Sequence, residues 1–292
     1  MQSSFKKNQF LNMWNNIKLL STSVLKNLRT YLYLIIFPIC IVTLVIAYKV
    51  VKTENAIYIN DICSILILPS FMVIFLVNIT ISEWKNSVFL KRIHSAGISR
   101  NSFLFSMFIF NFMLGIVSFI FTSLYSFWLT SSFFPINQGG KQMGFAEMLF
   151  MMMTFKTAMG LIMGVSFCIV ISICIGTIVS GVFKSVALSQ SIASILMIFA
   201  VISSDVFISP EIIAVSRFLV NLCYISPYKH SVWISILLSS DANFKWIYHG
   251  AAEGRVLGVS FGLKEWLPVF SSAIYLTLLT FLSIFSFKWN GK

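Results

Sequence analysis

Long apolar runs alternate with short polar segments along this chain, and six of the runs are long enough to cross a bilayer. A membrane-spanning helix needs about 20 apolar residues. The pattern therefore predicts an all-α polytopic membrane protein, in which residues 31–287 form one transmembrane domain and residues 288–292 a short cytoplasmic tail. The predicted spans cover about residues 31–48, 62–81, 102–129, 157–183, 185–204 and 266–287.

The chain before the first run has the pattern of an amphipathic helix. From Phe10 onward, apolar residues recur at every third or fourth position, with Asn, Lys and Arg between them. This spacing places the apolar side chains on one helical face. We expect residues 1–30 to form a cytoplasmic tail and an interfacial helix whose cations face lipid headgroups. A soluble cap helix is the alternative interpretation.

The pattern changes between residues 205 and 240. Two apolar pieces, Glu211–Tyr224 and Tyr228–Leu238, are too short to cross a membrane comfortably, and Pro227 divides them. Paired short helices are tolerated at membrane depth where protein buries them. We therefore predict an outer re-entrant helical hairpin before the sixth span.

Single residues within the runs predict local features of the spans. Pro38 favours a kink in the first span. Pro69 and Asn78 interrupt the second span, so we expect them to face other helices or a cavity rather than lipid. Gly160 and Gly164 have the GxxxG spacing that permits close helix approach, although this spacing is also common by chance.

Composition supports a membrane protein. Hydrophobic residues make up 58% of the chain and charged residues 10%, and the mean hydropathy is +0.90. Such a chain cannot cover its surface with polar groups, so we expect lipid to be its solvent. The cysteines form no CxxC pair and lie in apolar surroundings, which favours packing over redox or metal chemistry. They are Cys40, Cys63, Cys168, Cys174 and Cys223.

The charge of the polar segments predicts their orientation. With a cytoplasmic N-terminus, the inner segments hold twelve of the 21 Lys and Arg residues and a single acid, Glu83. The outer segments hold nine cations and eight acids. Because cytoplasmic loops carry an excess of Lys and Arg, both termini are predicted to be cytoplasmic. The net charge of +12 then reflects topology, and no nucleic-acid partner is expected.

The basic segment Glu83–Arg100, between the second and third predicted spans, is the strongest candidate for contact with an intracellular partner. It carries four cations against one acid. Its apolar residues do not gather on one helical face, so we expect it to be enclosed on several sides rather than to form a simple amphipathic helix.

Motifs for nucleotide binding and for catalysis are missing from the sequence. Gly139-Gly140-Lys141 lacks the upstream Gly and the following Ser or Thr of a phosphate-binding loop. We find neither HExxH nor GxSxG, and the three His residues do not pair with Cys or carboxylates at metal spacing. The chain is therefore not expected to be an enzyme, and its energy must come from another chain or it must be passive.

The order of these elements resembles the ABC type-2 permease family across nearly the whole chain. Members of that family have an interfacial N-terminal helix, six spans, a cytoplasmic coupling helix after the second span and an outer re-entrant hairpin. Glu83–Arg100 is similar to the coupling segment, although Ser87 stands near a position where many members have Gly. Tyr224–Ser231 is similar to the hairpin segment, with Ser226-Pro227 in place of Asn-Pro.

The resemblance implies a half-transporter in a bacterial inner membrane. Two permeases, identical or not, would flank a central path, and separate ABC ATPase subunits would bring ATP and Mg; no cofactor is expected in this chain. The alternative is that the cations only hold topology and touch lipid phosphates. The implied ATPase-coupling residues are Glu83, Trp84, Lys85, Val88, Lys91, Arg92, His94 and Lys184. The hairpin residues are Tyr224, Ser226, Pro227 and Tyr228.

The cargo is expected to be amphipathic or hydrophobic, because the spans carry few charges. A peptide or a drug is favoured, and a lipid or lipid-linked glycan is an alternative. A secondary transporter or channel that works without ATP is the main competing function. The residues expected to line a path are Asn78, Thr80, Ser189 and Ser194.

Overall fold

The fold is described from a computed structural model, in which the described residues form helices and one pair of two-residue antiparallel strands, joined by short turns. The strands are β1 (Asn137–Gln138) and β2 (Lys141–Gln142). The structure describes residues 2–52, 59–133, 137–138, 141–142, 146–147, 150, 154–208, 210–239, 261 and 266–287. Most of residues 241–265 and all of residues 288–292 lie outside this part of the chain.

The helices are numbered in chain order, and a π-helical segment, Leu32–Ile36, joins the second to the third. The first seven helices are α1 (Gln2–Leu25), α2 (Leu28–Tyr31), α3 (Phe37–Lys52), α4 (Ile59–Ile65), α5 (Leu68–Asn86), α6 (Phe89–Ser95) and α7 (Arg100–Phe133). The others are α8 (Phe155–Val182), α9 (Val186–Ser203), α10 (Pro210–Ala214), α11 (Arg217–Tyr224), α12 (Pro227–Ser239) and α13 (Trp266–Ser286).

Six helical stretches of the described residues are long and apolar enough to cross a membrane, which confirms the predicted polytopic helical fold. Their bounds differ from the predicted ones by a few residues. The third span, which contains 34 residues, is about 51 Å long at 1.5 Å per residue and exceeds the hydrocarbon thickness. The spans are Leu28–Val51, Ile62–Asn86, Arg100–Phe133, Phe155–Val182, Val186–Ser203 and Trp266–Ser286.

The first span is irregular around Pro38, as the sequence predicts. Proline has no N–H, so the carbonyl four residues earlier, that of Leu34, loses its normal helical donor. The π-helical segment Leu32–Ile36 lies at this point. The hydroxyl of Ser118, from α7, donates to the Leu34 oxygen instead. The distortion is therefore stabilised by a neighbouring span.

Pro69 divides the second span into α4 and α5. The break is a turn at Leu66 and Ile67, and Pro69 lies in the first turn of α5. A proline is tolerated there because the first helical N–H groups have no partner within their own helix. The second span is thus one apolar run made of two helices.

Two helices form the centre of the bundle. Every residue of 62–82, which includes most of α5, is buried, and so are all residues of α12 from Tyr228 to Leu237. On α8, Gly160 faces Leu238, where an added Cβ would lie 2.6 Å from the Leu238 Cβ. The GxxxG spacing therefore marks the contact between α8 and α12.

The hairpin region differs in detail from its predicted two pieces. The first piece is broken at Val215–Ser216 into α10 and α11, and the second forms α12. α12 lies alongside α8, because its end contacts Gly160 while Tyr228 near its start contacts Ser172. These positions on α8 are about 18 Å apart at 1.5 Å per residue.

The outside of the bundle is apolar. α7, α9 and α13 expose large hydrophobic side chains, and only 11% of the most apolar stretch of α13 is buried. Such a surface must be covered by lipid or by another protein. Examples are Phe105, Met113, Phe121, Ile195, Ile198, Phe270, Phe281 and Phe285.

Candidate functional site

The candidate site lies at the end of the bundle where α5, α8 and α13 end and α7 and α9 begin, which we call the basic end. The opposite end, at which α9 ends and α13 begins, we call the hairpin end. At the basic end, Glu83 lies in the last turn of α5. Its Oε1 accepts from the Arg29 guanidinium at 2.8 Å, and its Oε2 accepts from the Asn27 amide at 3.2 Å. Glu83 thus joins the second span to the start of the first.

Trp84 packs at the junction of three helices. Its indole N–H donates to the Ser23 hydroxyl of α1 at 3.1 Å. Its ring stacks on Phe89 of α6 at 5.0 Å and meets Phe103 of α7 edge-on at 5.7 Å. The side chain is 5% exposed, so Trp84 holds α1, α6 and α7 together.

Lys85 and Arg100 hold the ends of two other spans. The Lys85 ammonium donates to the Ser180 carbonyl and, at 3.1 Å, to the Gly181 carbonyl, both in the last turn of α8. The Arg100 guanidinium donates to the Ile284 carbonyl near the end of α13. The last four carbonyls of a helix lack intrahelical donors and carry partial negative charge, so a cation is favourable there.

α6 has a buried edge and an exposed basic edge. Leu90 and Ile93 are buried, whereas Val88, Lys91 and Arg92 are exposed. On α6 itself the buried and the exposed residues thus lie on different edges, and the exposed Val88 directly precedes the helix. The His94 side chain lies outside the part of the structure that is described.

The structure thus sorts the predicted coupling residues into two groups. Glu83, Trp84 and Lys85 bind the segment to the bundle, and Lys91 and Arg92 are exposed on α6. Lys184 is also exposed, in the short turn between α8 and α9. The exposed group gives the basic end its positive surface.

Among the predicted path residues, the structure brings Asn78 and Ser189 together. The Asn78 amide donates to the Ser189 hydroxyl at 2.7 Å, which joins α5 to α9 inside the bundle. The hydroxyls of Thr80 and Ser194 instead donate to carbonyls of their own helices. Within the described residues, the Asn78 Oδ1 is buried with no hydrogen-bond partner, so this contact has a spare acceptor.

The hairpin residue Tyr228 is part of a buried hydrogen-bond chain. Its hydroxyl lies 2.9 Å from the Ser172 hydroxyl, which donates to the Ser70 carbonyl at 2.7 Å. Since the single Ser172 proton is used by Ser70, Tyr228 donates to Ser172. Phe71 packs on the Tyr228 ring at 4.5 Å. The chain ties α12 to both α8 and α5.

The other hairpin residues shape the start of α12. Pro227 begins the helix, and the Ser226 carbonyl accepts from the Lys229 N–H at 3.2 Å. The Tyr224 carbonyl accepts from His230 Nε2 at 2.9 Å and from the Tyr275 hydroxyl at 3.2 Å. The sequence motif Tyr224–Ser231 therefore corresponds to a hydrogen-bonded connection between α11, α12 and α13.

A buried ion pair at the hairpin end was missed by the sequence reasoning. The Lys229 ammonium lies 3.2 Å from Asp205 Oδ2, and both side chains are fully buried. Asp205 has a φ of +63° in the turn after α9, a conformation that Asp tolerates better than most residues. The available signal was an acid directly after an apolar run and a lysine inside an apolar piece of the hairpin.

The chain matches no protein-family model and no curated protein.

Proposed function

We propose that this chain is the membrane-spanning permease subunit of an ATP-driven exporter of the ABC type-2 class, in a bacterial inner membrane. The observation that carries the proposal is the basic end. There, exposed Lys91 and Arg92 lie on a short helix, α6, whose flanking residues are hydrogen-bonded to the ends of three other spans. Separate ATPase subunits would bind this surface.

The contacts at the basic end explain how such a partner would move the bundle. α6 is joined through the chain to α5 and α7. The hydrogen bonds of Glu83, Lys85 and Arg100 join the same segment to the first, the fourth and the sixth span, respectively. A displacement of α6 is therefore transmitted directly to five of the six spans. This is the mechanical requirement for alternating access driven from outside the membrane domain.

The proposed topology gives α1 and the hairpin their environments. α1 packs Asn16, Leu20 and Val24 inward and exposes Trp14 and Lys18, so we place it along the cytoplasmic membrane surface. α12 is buried beside α8. We propose that it is one arm of an outer re-entrant hairpin, the arm that lies nearer the centre of the bundle. A non-spanning helix at this depth is tolerated because protein covers it.

The proposed cargo is amphipathic or hydrophobic, with a peptide or a drug favoured over a lipid or lipid-linked glycan. Two permease copies, or this chain and a paralogue, would enclose the path. The Asn78–Ser189 contact lies between α5 and α9, and its spare acceptor suits a moderately polar group.

The first test is purification of the tagged chain from its native host. An ABC ATPase is expected to copurify, and purification without one contradicts the proposal. The second test is the double variant Lys91→Glu, Arg92→Glu, which is expected to abolish ATPase binding while leaving the fold intact. Its matched control is Arg217→Glu, since Arg217 is exposed at the hairpin end. Equal ATPase binding by both variants would remove α6 from the coupling role.

A secondary transporter is the second candidate, and the buried Asp205–Lys229 pair favours it. Ionisable residues inside membrane domains often mark ion or proton paths. In proteoliposomes, an exporter needs the ATPase and ATP, whereas a secondary transporter moves cargo under an imposed proton gradient alone. That comparison decides between the two candidates.

A further inference from the structure

The Asp205–Lys229 pair is costly for the protein to keep. Both side chains are fully buried, and the ammonium lies 3.2 Å and 3.5 Å from the two carboxylate oxygens. Removing two charges from water is costly, and their attraction often only offsets this cost. Replacement of a buried ion pair by apolar residues of similar volume is often neutral or stabilising. The pair therefore points to a role beyond stability.

Aromatic side chains complete the surroundings of the pair. The Lys229 ammonium lies over the Tyr224 ring, 5.5 Å from its centroid. The Trp233 indole N–H donates to Asp205 Oδ2 at 2.6 Å. Phe261 stacks on both rings, at 5.1 Å from Tyr224 and 5.4 Å from Trp233. A carboxylate together with aromatic faces is the arrangement that recognises ammonium groups.

The Asp205 carboxylate is held in place by a contact that does not involve Lys229. Trp233 lies one helical turn after Lys229 on α12, and its bond to Asp205 does not involve the lysine. Asp205 belongs to the turn after α9, a different element. Removal of the Lys229 side chain therefore leaves a carboxylate held by Trp233 beside the Tyr224 ring, with space where the ammonium was.

We infer that Asp205, Tyr224, Trp233 and Phe261 form a binding site for an ammonium group, and that Lys229 is its tethered competitor. The ligand class is an amphipathic amine. An ammonium group on the cargo would replace the Lys229 ammonium when α12 moves relative to the turn after α9. The identity of the cargo rests on the proposed exporter function, but binding at this site does not need an ATPase.

The test uses the purified full chain and a matched pair of small probes, n-butylammonium and n-butanol. The first carries the charge that the Lys229 side chain supplies, and the second is a neutral analogue of similar size. In Lys229→Ala, n-butylammonium is expected to raise the thermal unfolding midpoint and n-butanol to leave it unchanged, because only the cation restores the lost ion pair. The wild-type chain is expected to need at least about ten times more n-butylammonium for half of that effect, since the tethered ammonium occupies the site.

The control is the double variant Asp205→Asn, Lys229→Ala, in which neither probe is expected to raise the thermal unfolding midpoint. Equal responses of Lys229→Ala to the two probes, or an undiminished ammonium response in the double variant, would overturn the proposal. If Lys229→Ala does not fold alone, n-butylammonium present throughout extraction is expected to recover a monodisperse protein. Failure of that recovery also overturns it.

A transport measurement separates this site from the exporter proposal. In the assembled transporter, Asp205→Asn is expected to lower export of a cationic amphiphile relative to a neutral one. If Lys229→Ala binds ammonium but no ATP-dependent export is found, the exporter proposal is contradicted and the ammonium-site proposal is not. In the opposite case, ATP-dependent export depends neither on the charge of the cargo nor on Asp205, and Lys229→Ala does not bind ammonium. That result would contradict the ammonium site but not the exporter.

Discussion

The Lys85 ammonium lies 3.1 Å from the Gly181 carbonyl oxygen, so a side chain at the end of α5 covers the last turn of α8. The two residues are 96 positions apart in the chain. The contact neutralises part of the negative helix end and gives the carbonyls a donor that their own helix lacks. It also means that the fourth span cannot shift against the second without breaking this bond.

Lys85→Met is expected to lower the free energy of unfolding by about 1.5–3 kcal/mol, the usual range for hydrogen bonds to charged groups. Methionine keeps most of the apolar length and removes the donor. The matched control is Lys91→Met, which changes an exposed lysine of α6 and is expected to have little effect. The measurement is unfolding in detergent micelles of both variants. Similar losses in the two would show that the contact with α8 contributes no stability.

The Arg29–Glu83 ion pair is expected to contribute little to stability despite its 2.8 Å distance. The two side chains are 60% and 38% exposed, and pairs of that kind are worth about 0.2–1 kcal/mol. A double-mutant cycle with Arg29→Met and Glu83→Gln measures the coupling. High salt is expected to reduce it further, because exposed pairs are screened. A coupling energy well above this range would mean that the pair is desolvated, for example by α1.

Much of the fold could be predicted because its signals are local. Apolar length alone gave six spans, and Pro38 predicted the irregularity of the first span. Pro69 was expected to avoid lipid, and it is buried. The polar interruption by Asn78 was correctly expected to avoid lipid, since the residue is buried against Ser189. These features depend on helix geometry and on the length of an apolar run, which a sequence shows directly.

The parts that could not be predicted depend on which helices meet. The bond from Lys85 to Gly181 requires α5 and α8 to end at the same level. The Asp205–Lys229 pair requires α12 to lie against the turn after α9. From the sequence, Asp205 lies just after the fifth span and Lys229 lies in the second apolar piece of the predicted hairpin, and no local signal pairs them. Only the packing of the hairpin turns them into a buried pair.

Gly160→Ala is expected to destabilise the protein by about 1–3 kcal/mol, the usual cost of overpacking a tight contact. An added Cβ at this position would lie 2.6 Å from the Leu238 Cβ of α12. Alanine is intrinsically the better helix former by about 1 kcal/mol, so this steric cost must exceed that gain.

The control for Gly160→Ala is Met159→Ala, on the exposed side of α8, which is expected to change the unfolding midpoint much less. The midpoint is measured by thermal unfolding in micelles. A stabilised Gly160→Ala variant would show that α8 and α12 can separate at little cost.

The last prediction concerns the first span, where Pro38 leaves the Leu34 carbonyl without its helical donor and Ser118 supplies one. Ser118→Ala is expected to cost about 0.6 kcal/mol, the average for hydrogen bonds between membrane helices, and at most about 1.7 kcal/mol. In a Pro38→Ala background the residue at 38 regains an N–H that can donate to Leu34, so Ser118→Ala is expected to cost less there. The control is Ser123→Ala on the same helix, because the buried Ser123 hydroxyl has no hydrogen-bond partner within the described residues. Equal costs of Ser118→Ala in the two backgrounds would show that the serine does not replace the donor that proline removes.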